Sequence, residues 1–328
     1  MVKDQLITDD YAIYNGDCMA VLPTFDDKSI DLAVYSPPFA GLYNYSSSEL
    51  DFSNCENREQ FMIQYEFLIA EMARVTKPGR INAVHCQDII TDTTKHHLFD
   101  FPNEIIKLHQ KHGFHWNNRI TIWKEPLEVR MRTMVKSLMH KNIAEDATKC
   151  FTAVPDQLLI FTRVGENEVP VTHERGLKYY AGEYPLLPAM EKKYGNWEHI
   201  KIKYANHGTD HLTNKLSQII WQRYASSVWD DIRGNNVLKF KDSREEDDEK
   251  HVHPLQLDII DRVVELYSNP GEVVLTPFMG VGSEVFSPVS MGRKAKGIEL
   301  KESYYKQAIA NLAEVNYRFE ADTQQKLF

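Results

Sequence analysis

Residues 272–299 read EVVLTPFMGVGSEVFSPVSMGRKAKGIE, and this stretch decides the fold. Glu272 to Thr276 is a short β-branched run of the kind that forms a buried strand. It breaks at Pro277-Phe278, turns through Gly280 and Gly282, and passes into a helix; after Gly292-Arg293 a second strand, 295–299, leads to a last helix from about Ser303. A strand, a glycine turn and a helix set backbone N–H groups and a helix N-terminus against a ligand. Gly280 and Gly282 let the main chain come close where a side chain would collide. Glu299 lies 19 residues past Gly280, at the end of the next strand. A carboxylate there accepts both hydroxyls of a ribose. The dinucleotide fingerprint wants a third glycine, and the chain has Val285 in that place, so a nucleoside-bearing ligand is favoured over NAD.

Outward from this unit the same alternation recurs. Runs at 11–17, 30–36, 80–86, 119–123 and 157–163 are rich in β-branched and aromatic residues and predict strands. Between the second and third, residues 58–76 place Phe61, Tyr65, Leu68, Met72 and Val75 at helical spacing, and Lys77-Pro78-Gly79 ends that helix. Near the C-terminus Pro254 suits the first turn of a helix whose face carries Leu255, Ile259, Val263 and Leu266, stopped at Asn269-Pro270-Gly271. Strands alternating with helices imply an α/β fold with a mostly parallel sheet covered on both faces. Residues 166–250 are polar, rich in tyrosine, tryptophan and glycine, and without a strong period. They read as an insertion between two halves, 1–165 and 251–328.

The chain has 328 residues, 42% hydrophobic and 26% charged, ordinary for a soluble globular protein. No apolar run reaches the roughly 18 residues a bilayer span requires, and the first residues lack the basic-then-apolar order of a secretion signal. Cys18, Cys55, Cys86 and Cys150 stand far apart, which suits a reducing cytoplasm and argues against a zinc ribbon or disulfide framework. His96-His97 and His251-Val252-His253 lack a third ligand nearby and read as surface or turn residues. The formal charge is −9, yet from Arg119 to Lys141 six Lys/Arg stand against two acids. Local patches, not net charge, decide nucleic-acid binding. The opposite extreme, DSREEDDE at 242–249, reads as a solvated loop.

Residues 31–39, DLAVYSPPF, end a buried strand with a hydroxyl, two prolines and a ring. With the 276–283 turn and the V-T-K-P-G segment at 75–79, they resemble the motifs of the DNA amino-methyltransferases of the β arrangement. In that family the [DNS]-P-P-[YFW] catalytic motif precedes the S-adenosylmethionine motif, D-P-F-x-G-x-G-T, and the target-recognition region lies between. Val228-Trp229-Asp230 and His253-Pro254-Leu255-Gln256 resemble the segments that precede the cofactor motif. The resemblance implies a Rossmann-like methyltransferase with a circularly permuted sheet, acting with S-adenosyl-L-methionine on double-stranded DNA in a bacterial or phage-encoded cytoplasmic setting. It admits a homodimer and a cognate restriction enzyme, and the residues choose neither.

By that resemblance Ser36 and Pro37 accept the two N–H bonds of the target amine, Pro38 stiffens the turn, and Phe39 stacks on the flipped base. Asp17 and Cys18 meet the cofactor's adenine, and His253, Pro254 and Leu255 its methionine end. Thr276, Pro277, Phe278, Gly280, Gly282 and Ser283 form the cofactor turn, and Glu299 holds the ribose. No metal is implied. Two departures stand out: Thr276 replaces the usual acid, and Ser283-Glu284 the common S/T-T pair; Pro288 is expected to kink the helix that follows. Serine in the clamp favours N4 of cytosine, with N6 of adenine the alternative. Rival readings are a catalytically silent cofactor-binding protein, suggested by Thr276, and a nucleotide-dependent oxidoreductase; the intact SPPF counts against both. Tyr43 is placed over the base, with Arg130, Arg132, Lys136 and Lys141 on the DNA backbone and residues 165–250 supplying most of the sequence reading.

Overall fold

The structure, a computed structural model, describes residues 2–38, 58–92, 97–174, 176–183, 188–204, 213–243 and 254–315. Phe39, Tyr43 and His253 therefore lie outside the described residues. The strands are β1 (Asp4–Ile7), β2 (Tyr11–Asn15), β3 (Ile30–Tyr35), β4 (Thr76–Gln87), β5 (Ile89–Asp92), β6 (His97–Phe99), β7 (Phe114–Ile122), β8 (Asp156–Arg163), β9 (Val228–Trp229), β10 (Val273–Thr276) and β11 (Lys294–Glu299). β5 and β6 make a separate ribbon, and the others form one sheet in the order β1-β2-β11-β10-β3-β4-β8-β7-β9. The pairs β2–β11, β11–β10, β10–β3 and β3–β4 are parallel, as is β7–β9, while β1–β2, β4–β8 and β8–β7 are antiparallel. The last two strands in the chain thus sit at the centre of the sheet, between strands from its beginning. That is the permuted, mostly parallel order the motif sequence implies.

Alternation along the central strands explains the two cores. Ala33 and Tyr35 of β3 pack on one face with Phe61, Tyr65, Leu68 and Met72 of the helix Arg58–Val75. Leu32 and Val34 point the other way, onto Ile259, Ile260, Val263 and Val264 of the helix Leu257–Tyr267. All of β3 is buried, as a strand covered on both faces must be. Two boundaries differ from the sequence reading. The helix Arg58–Val75 ends where expected, but β4 begins at once at Thr76, so Lys77-Pro78-Gly79 is strand edge and not a loop. Thr76 Oγ1 donates to the Met72 carbonyl at 2.6 Å, supplying the terminal partner a loop would have supplied. Pro254 stands before the helix Leu257–Tyr267, whose N-cap is Gln256, and not in its first turn. Pro288 occupies the last turn of the helix Ser283–Ser290, which ends two residues later.

The middle region is tied to the sheet. Its β9 pairs with β7 at the edge. The helix Lys215–Tyr224 buries Leu216, Ile219, Ile220, Arg223 and Tyr224, a helical period, against Leu177, Tyr180 and Ile200. Arg262, fully buried on the helix Leu257–Tyr267, is the pin between this lobe and the sheet. Its Nε donates to the Ala181 carbonyl at 2.8 Å, and a terminal nitrogen lies 2.8 Å from Asp231. Its guanidinium stands 4.7 to 5.4 Å from the rings of Trp229, Tyr224 and Tyr180. Breaking a buried pair costs about 3–5 kcal/mol, because a charge is left without its partner. Arg223 also approaches Asp231, at 3.3 Å, so Arg262→Met is expected to cost about 3 kcal/mol. Urea unfolding measures this; a loss under about 1 kcal/mol would show that Arg223 alone suffices.

Candidate active site

The carboxyl ends of β2, β11, β10, β3 and β4 all open on one edge of the sheet, where open α/β folds bind ligands. The antiparallel pairing of β8 brings its first residue, Asp156, to the same edge, opposite Gln87. A cavity of about 750 Å³ runs along it, walled at one end by Ser36, Pro37 and Pro38 and at the other by Gly280 and Glu299.

At the glycine end the two turn residues have different tasks. Gly280 has φ +54°, and a Cβ there would meet nothing within 4 Å, so the space beside it belongs to the cavity. Gly282 has φ +97°, and its Cβ would come 3.2 Å from the Ala308 side chain, so it serves helix packing and does not line the cavity. Glu299 accepts the N–H of Gly280 through one oxygen and that of Lys301 through the other, both at 2.8 Å. The carboxylate braces the turn, and each oxygen keeps a further lone pair for a ligand hydroxyl. Asp17 caps the short helix Cys18–Val21 by accepting from Met19 N at 3.0 Å and also lines the cavity. Cys18 beside it is buried, which pushes its thiol up and leaves it a neutral wall. Pro254, Leu255, Pro277 and Phe278 line the same space; Thr276 is fully buried behind it and does not. Ser283 Oγ is buried at the wall without a hydrogen-bond partner among the described residues. An open cradle at Gly280, a braced carboxylate and a waiting hydroxyl fit the nucleoside and amino-acid parts of S-adenosylmethionine.

Glu284, which stands in the departure noted above, lines the cavity while buried. Burial, reinforced by the nearby Glu299 carboxylate, pushes its pKa up to about 8. The folded protein therefore holds a proton there that the unfolded chain releases near the ordinary 4.5. Stability falls as pH rises through that window, because the native state binds more protons than the unfolded one. Glu284→Gln is expected to remove this dependence, the gap to wild type growing between pH 5 and 8 to a few kcal/mol. Urea midpoints across that range check it, and parallel pH curves for the two proteins would refute it.

At the other end Ser36 Oγ lies 3.3 Å from His85 Nδ1. His85 Nε2 is 3.2 Å from Asp156 Oδ2, the other oxygen of Asp156 is 2.5 Å from Lys124 Nζ, and Lys124 also donates to Gln87 Oε1 at 3.3 Å. Burial by itself would raise the Asp156 carboxyl, but Lys124 and His85 outweigh it and hold it well below the usual carboxylate range. This chain of polar groups behind the serine escaped the sequence reading. His85 passed as one residue of a strand and Lys124 as one charge of a basic run. The available signal was a histidine on the apolar side of a strand that runs parallel to the SPP strand.

The basic segment falls between β7 and β8. The helix Pro126–Thr133 has no buried residue, and Leu127, Met131 and Met134 are exposed on it. Arg132 reaches the cavity mouth and lies 3.9 Å from Glu128; Lys141 lies 3.6 Å from Glu145, while Arg130 donates to Met134 Sδ at 3.3 Å. Lys136 is exposed and does not line the cavity. Among the described residues no helix is long and apolar enough to cross a membrane, and no group of three His, Cys, Asp or Glu is placed to hold a metal.

A nucleoside cradle and an amine-sized polar clamp facing one cavity are the equipment of an S-adenosylmethionine-dependent methyltransferase acting on the amino group of a base. The chain belongs to the DNA methylase family of N4- and N6-amino-methyltransferases, whose profile matches residues 30–310. The Type II methyltransferase M.BglII of Bacillus subtilis is 24% identical over 294 residues, 89% of this chain and 66% of that protein. The Type II methyltransferase M1.MboII of Moraxella bovis is 20% identical over 316 residues, 93% of this chain and 98% of that one. The chain thus spans just under two thirds of the first relative and nearly all of the second. Among solved structures, the DNA modification methylase TTHA0409 of Thermus thermophilus, complexed with S-adenosyl-L-methionine, has a TM-score of 0.60 at 21% identity, covering 94% of this chain and 95% of that one. The cytosine-N4-specific PvuII DNA methyltransferase has a TM-score of 0.60 at 13% identity, covering 99% and 94%. At such identities these two likenesses show the fold.

Proposed function

We propose that this protein methylates DNA site-specifically at the exocyclic amine of a base flipped from the duplex, N4 of cytosine in preference to N6 of adenine. The observation that carries this is the opening of Ser36 and Pro37 into the same cavity as Gly280 and Glu299. An exocyclic amine is a weak nucleophile because its lone pair is delocalised into the ring. Two acceptors, Ser36 Oγ and the Pro37 carbonyl, take its two N–H bonds and draw the nitrogen toward a tetrahedral shape. The prolines fix φ, so the clamp is rigid before the base arrives. S-adenosylmethionine, held by Asp17, the 277–283 turn and Glu299, supplies an electrophilic methyl group. A base inside a duplex cannot reach this depth, so it must be flipped. Phe39, next in sequence to the clamp, is the residue for stacking.

The choice of cytosine rests on Ser36, a short neutral hydroxyl where a carboxylate would suit adenine. Arg130, Arg132, Lys136 and Lys141 stand on the segment beside the cavity mouth and are assigned to the phosphates, with the 166–250 lobe reading sequence. Incubating the protein with DNA and labelled donor, then digesting the DNA and weighing its nucleosides, tests the reading. N4-methylcytosine supports it, N6-methyladenine moves the target to adenine, and unlabelled DNA removes the activity.

A further inference from the structure

The clamp explains how the amine is presented but leaves one proton unaccounted for. When the nitrogen–carbon bond forms, the carbon–sulfur bond breaks and sulfur keeps its electron pair. The nitrogen, still carrying both hydrogens and now a methyl group, is cationic and must lose one proton. Resting on the methyltransferase reading above, we propose that His85 takes that proton through Ser36. The amine proton passes to Ser36 Oγ as the serine hydroxyl proton passes to His85 Nδ1, so serine is unchanged and histidine becomes imidazolium.

The geometry specifies the tautomer. His85 Nε2 is 3.2 Å from Asp156 Oδ2, an oxygen with no proton to give, so Nε2 carries the hydrogen and Nδ1 is left as an acceptor. That acceptor faces Ser36 Oγ at 3.3 Å. The serine proton then points at histidine, leaving the serine lone pairs free to receive the amine N–H. The charged groups facing His85 are Asp156 on β8 and Lys124 beyond β7. Lys124 is 2.5 Å from the other Asp156 oxygen, so it anchors the carboxylate without competing for the face turned to the ring. Gln87 accepts from Lys124 at 3.3 Å and fixes it in turn. Ser36, His85 and Asp156 all line the cavity, and the His85 side chain is only 9% exposed, so bulk water does not replace it as the acceptor.

Positioned proton acceptors contribute about 10²–10⁴-fold to a rate. His85→Gln is expected to lower kcat about 10²-fold while cofactor and DNA affinities stay within twofold. It should also erase the acidic limb of the kcat–pH profile, which a merely structural role would leave in place. Asp156→Asn removes the negative charge that favours imidazolium, so it should move that limb to lower pH. If His85→Gln keeps kcat within threefold of wild type, or falls with its acidic limb intact, the proposal is wrong. Should the variants fail to fold, nitrogen-15 spectra of histidine-labelled wild type decide. An Nε2–H tautomer for His85 supports the role, and an Nδ1–H tautomer overturns it. A wild type that transfers no methyl to any DNA sinks the function itself, and this role with it.

Discussion

Ser36→Ala is expected to lower the single-turnover rate of methyl transfer by about 10²–10³-fold, the usual loss when one preorganised hydrogen-bonding partner of a transition state is removed. The change deletes the clamp's side-chain acceptor and leaves Pro37 alone to hold the amine. It also leaves His85 Nδ1 facing a methyl group in place of the hydroxyl 3.3 Å away. Neither loss touches the glycine turn, so the affinity for S-adenosylmethionine should stay within twofold. Phe39→Ala should follow the same pattern with a smaller rate loss, since stacking on one base is worth about 1–3 kcal/mol. Rapid-quench assays with labelled donor, beside calorimetric titration of the cofactor, separate rate from binding. Near-normal turnover in Ser36→Ala would mean that the end of β3 is only a stiff turn.

Glu299→Ala is expected to produce the opposite division, with cofactor affinity lost first. Its two oxygens hold the N–H groups of Gly280 and Lys301, both at 2.8 Å, and are the natural acceptors for two ribose hydroxyls. Charge-assisted hydrogen bonds contribute about 1.5–3 kcal/mol each. Losing the ribose contacts and the brace together should weaken binding at least 100-fold, on the order of 3 kcal/mol or more. The thermal midpoint should also fall without cofactor, because two amides at the wall lose their acceptor. Glu299→Gln separates brace from ligand contact, since its amide keeps one acceptor but turns two hydrogens toward a backbone donor or a hydroxyl. Unchanged affinity in Glu299→Ala by calorimetry would take this residue out of the site.

Much of this architecture can be read from the chain. Leu32 to Tyr35 and Val273 to Thr276 are short, β-branched and bounded by proline or glycine, and such runs have few alternatives to a buried strand. Gly280 and Gly282 announce their turn because only glycine accepts those positive φ values without strain. The helix Lys215–Tyr224 was equally legible in principle, since Leu216, Ile219, Ile220 and Tyr224 keep a helical period. The polar lobe around it hid the signal. The two-residue β9 offers no period at all and exists only because β7 presents an open edge.

The polar chain behind Ser36 belongs to the tertiary structure alone. Its members come from four separate places in the sequence, and none carries a motif. Parallel pairing of β3 with β4 sets His85 beside the serine, and antiparallel pairing of β4 with β8 brings Asp156 opposite Gln87. Register decides this, because a slip of one residue would turn His85 to the other face of the sheet. By itself, then, the sequence determined the strand-turn-helix unit, the SPP clamp and the permuted order of the two halves, because each is written in local residue choice. Which side chains stand behind the clamp, and which task each glycine performs, was decided by strand register and helix packing, which bring together residues far apart in the chain.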